Sequence, residues 1–299
     1  MTKISILGIV CISLSMVIVF SIGCNKNNNP LPPVHDTTTV VKQDTTKITD
    51  TLYATKPDPT VNLKKGLLLY LPFSGNIADS SGNGNPTTAL GSVLTYDQHG
   101  YASNAFGGTG NGERILVTNN GSIQFDTAWS ISLDFMVRTL SVRQAYISMV
   151  DPVTGNGPSF VVGTNQPTSN LLDVGAFDVA AGCDNDGQAG PNKINDLTSF
   201  TPQLNAWYNI IATYHRDSVN VYVNGNLISS VVGTGTQALL CPASQIVIGG
   251  WWNNDPITIN GKLDEVRLYN RVVTPHEITW LSRNFQVSSN KVKPGLKTH

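Results

Sequence analysis

The chain has 299 residues, with 19 Lys and Arg against 20 Asp and Glu, for a net charge of -1. That balance lacks the electrostatic footprint of a nucleic-acid binder or of a polybasic membrane-surface protein. Only 13% of residues are charged while Gly numbers 27, a composition that excludes helical bundles and coiled coils, which are rich in Glu, Lys, Ala and Leu.

Met1–Lys3 is a short basic start, and Ile4–Ile22 is uncharged and rich in Ile, Val, Leu and Ser. A basic n-region followed by an apolar h-region is a secretory signal. Its end, Phe20-Ser21-Ile22-Gly23-Cys24, resembles a bacterial lipobox, in which the chain is cut before the cysteine and the Cys24 thiol is lipidated. The resemblance departs from the usual pattern at Ser21, where Leu is customary. Residues 1–23 then read as a lipoprotein signal peptide. The alternative is an uncleaved anchor, since nineteen uncharged residues nearly span a bilayer. Either way the rest of the chain is exported and tethered, and its expected membrane contact is the N-terminal anchor alone. Asn25 follows the cysteine; in the Gram-negative system that this resembles, the absence of Asp there is compatible with the outer membrane and a cell-surface address.

Residues 24–62 read as a disordered tether. Pro30, Pro32, Pro33, Pro57 and Pro59 punctuate a stretch rich in Thr, Asn and Asp, and no periodic apolar face forms. As a random coil it would average roughly 34 Å end to end, and drawn toward polyproline II it would reach roughly 120 Å. Residues 286–299 form a polar, Lys-rich tail of the kind that frays.

From residue 63 to 285 the apolar pattern has period two. Ser130–Val137 alternates small or polar with apolar side chains, as a half-buried strand should. Tyr208–Tyr214 and Gln245–Gly249 read as further strands. Val219, Val221 and Val223 lead into Asn224-Gly225 and then Leu227-Ile228, a hairpin whose turn needs positive φ at both central residues. One helix is signed near the end: Thr274-Pro275-His276-Glu277 supplies an N-cap, a Pro in the first turn and a capping-box Glu. Strands without intervening helices predict an all-β sandwich or jelly roll with one short C-terminal helix. Cys183 and Cys241 remain once Cys11 and Cys24 are set aside. An even pair in an exported domain reads as a disulfide, worth about 4 kcal/mol if unstrained; two free buried thiols are the alternative.

Gly66–Asn76, followed by Asp79-Ser80-Ser81-Gly82-Asn83-Gly84-Asn85, resembles the opening of laminin-G-like jelly-roll domains of the concanavalin A-like lectin/glucanase superfamily. Trp207–Ile210 and Val221–Gly225 resemble its middle. Gly261–Arg271 and the Thr274–Ile278 helix resemble its close. The resemblance narrows the fold to a two-sheet antiparallel jelly-roll sandwich, which hosts lectins, adhesion modules, carbohydrate-binding modules and some glycosidases, without choosing among them. It also implies one structural calcium joining early and late segments, with Asp79, Asn83 and Asp264 as ligands. Oxygen donors beside glycines suit that hard cation. Without metal, Asp79 would simply close an Asx-turn.

Two further groups stand out. Asp184 and Asp186 lie in an acidic, Gly-containing loop after Cys183; they could meet ligand hydroxyls, or the loop could be merely solvated. Trp251 and Trp252 follow a strand and precede Asn253-Asn254-Asp255, so one ring would enter the core while the other stacks on a sugar; packing of both is the alternative. The superfamily's glucanases carry a Glu-x-Asp-x-Glu strand, and none occurs here. No Gly-x-Ser-x-Gly, His-Glu-x-x-His or phosphate loop is present either. The expected function is therefore a non-catalytic, lectin-like carbohydrate-binding module on a cell-surface lipoprotein, with a glycan or polysaccharide as partner. A structural or adhesion domain that binds envelope proteins is the alternative, and a glycoside hydrolase the third reading.

Overall fold

The computed structural model describes residues 59–91, 93–124, 127–150, 159–164, 170–176, 194–233, 245–252 and 256–285. Within them lie two antiparallel sheets and one short helix, the all-β architecture that the period-two pattern predicts and the jelly-roll sandwich that the resemblance implies.

The first sheet contains β1 (Leu67–Leu71), β3 (Leu94–Thr95), β4 (Ala105–Thr109), β6 (Ala128–Val137), β11 (Trp207–His215), β12 (Ser218–Val223), β13 (Asn226–Val232) and β15 (Asn260–Tyr269). Its order is β13-β12-β11-β6-β15-β4-β3, with β1 also on β15. The second sheet contains β2 (Thr87–Leu90), β5 (Arg114–Val117), β7 (Gln144–Val150), β8 (Phe160–Thr164), β9 (Leu172–Ala176), β10 (Ile194–Leu197) and β14 (Gln245–Ile248). Its order is β10-β9-β8-β7-β14-β5-β2.

Alternation decides which side chains face inward. On β6, Trp129, Ile131, Leu133 and Phe135 point into the core between the sheets, while Ser130, Ser132 and Asp134 occupy the intervening positions. Aromatic rings interlock across that core: Trp129 stacks on Tyr214 at 5.6 Å, and Phe135 on Tyr146 at 5.0 Å. The hairpin forms where expected, with φ of 52° at Asn224 and 80° at Gly225.

The outer face of the first sheet is covered in part by helix α1 (Pro275–Leu281). Ile278 and Leu281 pack there against Ile211, Tyr269 and Val273. The capping box is complete: the Glu277 backbone N–H donates to Thr274 Oγ1, and the Thr274 N–H donates to Glu277 Oε2 at 2.8 Å. Glu277 does more than cap. Its buried carboxylate takes a bidentate pair of bonds from Arg271, at 2.6 and 2.7 Å, and also accepts the Asn62 N–H. The helix is thereby bolted to the first residues of the domain.

One irregularity positions the site. Along one edge, β15 pairs with β4 from Asn260 to Leu263 and with β1 from Val266 to Tyr269. Between the two partners β15 bulges, and Glu265 adopts φ 53°. Left-handed backbone at a non-glycine residue costs about 1 kcal/mol. The edge is therefore open at Asp264 and Glu265, where β1 has ended and β4 has not begun.

Candidate functional site

A cavity of about 300 Å³ opens above this gap. Each element delivers a few side chains to it: Tyr70 from β1, Asp97, Gln98 and His99 from the β3–β4 connection, Asp134 from β6, Asp264, Glu265 and Arg267 from β15, and Trp280 and Arg283 from α1 and its exit. Asp134 and Asp264 are register partners across the β6–β15 ladder. They form the cavity floor, with 3% and 7% of their surfaces exposed.

The floor is incompletely satisfied. Asp134 Oδ1 accepts from Asn209 Nδ2 at 2.8 Å, and Asp264 Oδ1 accepts from the Glu265 backbone N–H at 2.8 Å. Among the described residues, the second oxygen of each carboxyl accepts no hydrogen bond. Burial pushes Asp134 up to about 7, despite the Asn209 bond and the Arg267 and Arg283 charges. Burial likewise pushes Asp264 up to about 8, and the neighbouring Glu265 and Asp134 charges add to it. Two carboxyls so placed share protons at neutral pH and can both donate to and accept from a ligand hydroxyl.

The walls are better partnered. Arg267 forms an ion pair with Glu265, donates from Nη1 to the Glu265 carbonyl at 3.2 Å, and lies 4.0 Å over the Tyr70 ring. The Tyr70 hydroxyl donates to both Glu265 carboxylate oxygens at 3.1 Å. Arg283 lies 3.4 Å over the Trp280 ring. Asp97 accepts the His99 and Tyr101 backbone N–H groups, at 2.8 and 2.9 Å, and so shapes the loop above the floor. Tyr96 and Tyr101 on that loop are 58% and 65% exposed. Neither ring lines the cavity itself, whose aromatic side chains are Tyr70, His99 and Trp280.

Of the described residues singled out from the sequence, only Asp264 lines this cavity. The calcium set of Asp79, Asn83 and Asp264 is not brought together. Asp79 accepts hydrogen bonds from the Tyr70, Ser81 and Asn85 backbone N–H groups, from Ser81 Oγ and from Asn85 Nδ2, at 2.8–3.1 Å. These donors hold the Asp79 carboxyl below its ordinary value, although burial opposes them. Asn83 Nδ2 donates to the Leu67 and Leu68 carbonyls. Both residues thus clamp β1, and the expected calcium would meet a carboxylate already saturated with donors; this Asx-turn was the alternative that the sequence left open. Asp264 lines the cavity, among residues that include neither. Among the described residues no three His, Cys, Asp or Glu side chains gather as a metal site would require.

Trp251 is buried on the outer side of the second sheet, with Ala145, Val150, Val161 and Val247. Arg143 covers its face at 4.5 Å, and the half-buried Trp252 meets it edge-on at 6.1 Å. The adjoining hollow is only about 10 Å³, room for one water. The Trp252 ring packs on its neighbour; no open platform forms between the two. Cys24, Cys183, Asp184, Asp186 and Cys241 lie outside the described residues. Asp134, Trp280 and the Tyr96–Tyr101 loop drew no attention in the sequence. Asp134 carries one faint signal, an acidic residue inside an otherwise uncharged strand.

Residues 109–279 match the Laminin_G_3 family model, described as the concanavalin A-like lectin/glucanases superfamily, and the chain belongs to this family. Solved structures share its fold. The binding domain of Paraclostridial Mosquitocidal Protein 1 superposes with a TM-score of 0.57 and 19% identity, over 75% of this chain and 53% of that one. Domain 4 of AbnA, a GH43 extracellular arabinanase from Geobacillus stearothermophilus, was solved in complex with arabinotriose; it superposes at 0.55 and 18% identity, over 72% of this chain and 98% of that one. Botulinum neurotoxin type C, whose cell entry depends on interaction with two ganglioside molecules, superposes at 0.55 and 16% identity, over 76% of this chain and 53% of that one. The chain spans about half the length of the two toxin structures. A comparison with curated proteins finds no match.

Proposed function

We propose that this protein is an exported, lipid-anchored and non-catalytic lectin-like module, and that its carbohydrate site is the cavity floored by Asp134 and Asp264. One observation carries the reading: two buried carboxyls, each with a free oxygen, lie beneath a rim that includes Trp280 and His99. Carboxyl oxygens read hydroxyl groups, and aromatic rims take the CH faces of a sugar. The arabinotriose-bound arabinanase domain and the ganglioside-dependent toxin support the same class of partner. A hydrolytic reading would need carboxyls on either side of the scissile bond. Asp134 and Asp264 stand side by side on one floor, which suits binding. The anchored address rests on the Cys24 lipobox pattern.

The test is retention of purified protein on a glycan array and on insoluble polysaccharides. At least one glycan class should be retained, and Asp134→Asn and Asp264→Asn should each weaken retention about tenfold without unfolding the domain. No retention across broad panels, or retention indifferent to both substitutions, would overturn the reading.

A second reading, a protein-binding role in the envelope, has one observation in its favour. Strand β13, last in the order of the first sheet, exposes Leu227 and Val232, two apolar side chains that a protein partner could cover. Capture of an envelope protein that is abolished by Pro at Val232 would support it.

A further inference from the structure

Resting on the reading above, we infer that the cavity selects an amino sugar, whose protonated primary amine seats between Asp134 and Asp264. The two floor carboxyls have no ion-pair partner among the described residues. Four carboxylates line the cavity, Asp97, Asp134, Asp264 and Glu265. The cations that face the floor are already engaged. Arg267 is paired with Glu265 and stacked on Tyr70. Arg283 is stacked on Trp280 and donates from Nη1 to the Trp280 carbonyl at 2.7 Å. Asp97 is occupied by backbone N–H groups of its own loop. Among the described residues no cation forms an ion pair with Asp134 or Asp264.

A pair of buried carboxyls without a countercharge is held at a cost, and the protein meets part of it by retaining protons. A compact ammonium offers three donors and a full positive charge to the two free oxygens. A neutral hydroxyl could bond to the same oxygens but would bring no countercharge to the carboxylate form. A calcium ion needs six to eight oxygen ligands, and the floor supplies no third carboxylate in reach of a shared metal. The remaining volume, about 300 Å³ in all, admits a sugar ring against the Trp280 side of the rim. Titration bears on the same point. Burial holds Asp134 and Asp264 at about 7 and 8, so seating an ammonium expels a proton from the floor.

The test is isothermal titration of the purified protein at pH 7 with five probes: a glucosamine tetramer, its N-acetylated counterpart, a neutral β-glucan tetramer, tetralysine, and calcium chloride alone. The glucosamine tetramer should bind at least about tenfold tighter than the acetylated and neutral sugars. It should release protons, seen as an apparent enthalpy that changes with the buffer, and weaken about tenfold in Asp264→Asn and Asp134→Asn. Should Asp134→Asn fail to fold, the Asp264→Asn variant carries the same expectation. Equal binding of the acetylated or neutral tetramer would overturn the amine inference and leave the carbohydrate reading standing. Tetralysine binding as tightly as the sugar would show that the ring contributes nothing and overturn the amino-sugar class. Calcium binding that is lost in Asp264→Asn would make the floor a metal site and overturn it as well. Glucosamine binding that survives both substitutions would place the amine elsewhere. Silence from all three sugars would reject the amine inference, and the array result would then decide the carbohydrate reading separately.

Discussion

Asp134 and Asp264 face each other across the β6–β15 ladder, both buried on the outer side of the first sheet. Burial holds them at about 7 and 8, against an ordinary value of 3.8. Between those values the folded chain keeps protons that the unfolded chain has released, so the stability these groups contribute is full below pH 4 and lost as pH rises toward 8. Thermal melts should therefore show a decline between pH 5 and pH 8, on the order of 2 kcal/mol for Asp134. Asp134→Asn should flatten that slope and melt higher than the parent at pH 8. Parallel slopes for the two proteins would contradict the burial argument.

The bond between Glu277 and Arg271 ties the C-terminal helix to the start of the domain through Asn62. Glu277→Ala removes the capping-box partner and leaves Arg271 unpaired, which should cost about 3 kcal/mol. Arg271→Ala should cost about as much, and the double variant less than the sum, as a double-mutant cycle in urea would record.

Asp79 is a structural clamp on β1, and three of its five hydrogen bonds come from backbone N–H groups. Asp79→Ala should cost about 3 kcal/mol. The loss should be equal in millimolar calcium and in EDTA. A loss that appears only in calcium would restore Asp79 as a metal ligand.

The anchoring proposal makes its own demand. Cys24→Ser should move the protein from the membrane fraction to the soluble exported fraction, while Cys183→Ser should leave it with the membrane. Membrane retention of Cys24→Ser would favour the uncleaved anchor that the Ile4–Ile22 run also permits.

The parts of the fold that were legible in the sequence are those written in local pattern. The Asn224-Gly225 turn announces its backbone, the Thr274–Glu277 box its helix, and the alternation through β6 its buried face. The pairing of β1 with β15 was implied by the family resemblance of the opening and closing motifs. The site was not legible, because its chemistry comes from register. Asp134 reads in sequence as an ordinary outward residue of a strand; only the tertiary pairing sets it opposite Asp264, and only the handover from β4 to β1 leaves the gap above them. Asp79 is ambiguous in sequence because a calcium ligand and an Asx-turn use the same residues; the structure supplies its carboxylate with five hydrogen-bond donors. Trp251 and Trp252 are ambiguous in sequence because a stacking platform and a packed pair look the same there; in the structure Trp251 is buried against the second sheet and Trp252 meets it edge-on.

The chain has five tryptophans, so ligand binding can be followed ring by ring in the indole N–H region of a two-dimensional NMR spectrum. Titration with the best-retained oligosaccharide should shift the Trp280 resonance, at the mouth of the Asp134–Asp264 cavity, and leave Trp251 and Trp252 in place. Shifts confined to Trp251 and Trp252, with Trp280 unmoved, would contradict the assignment of the site.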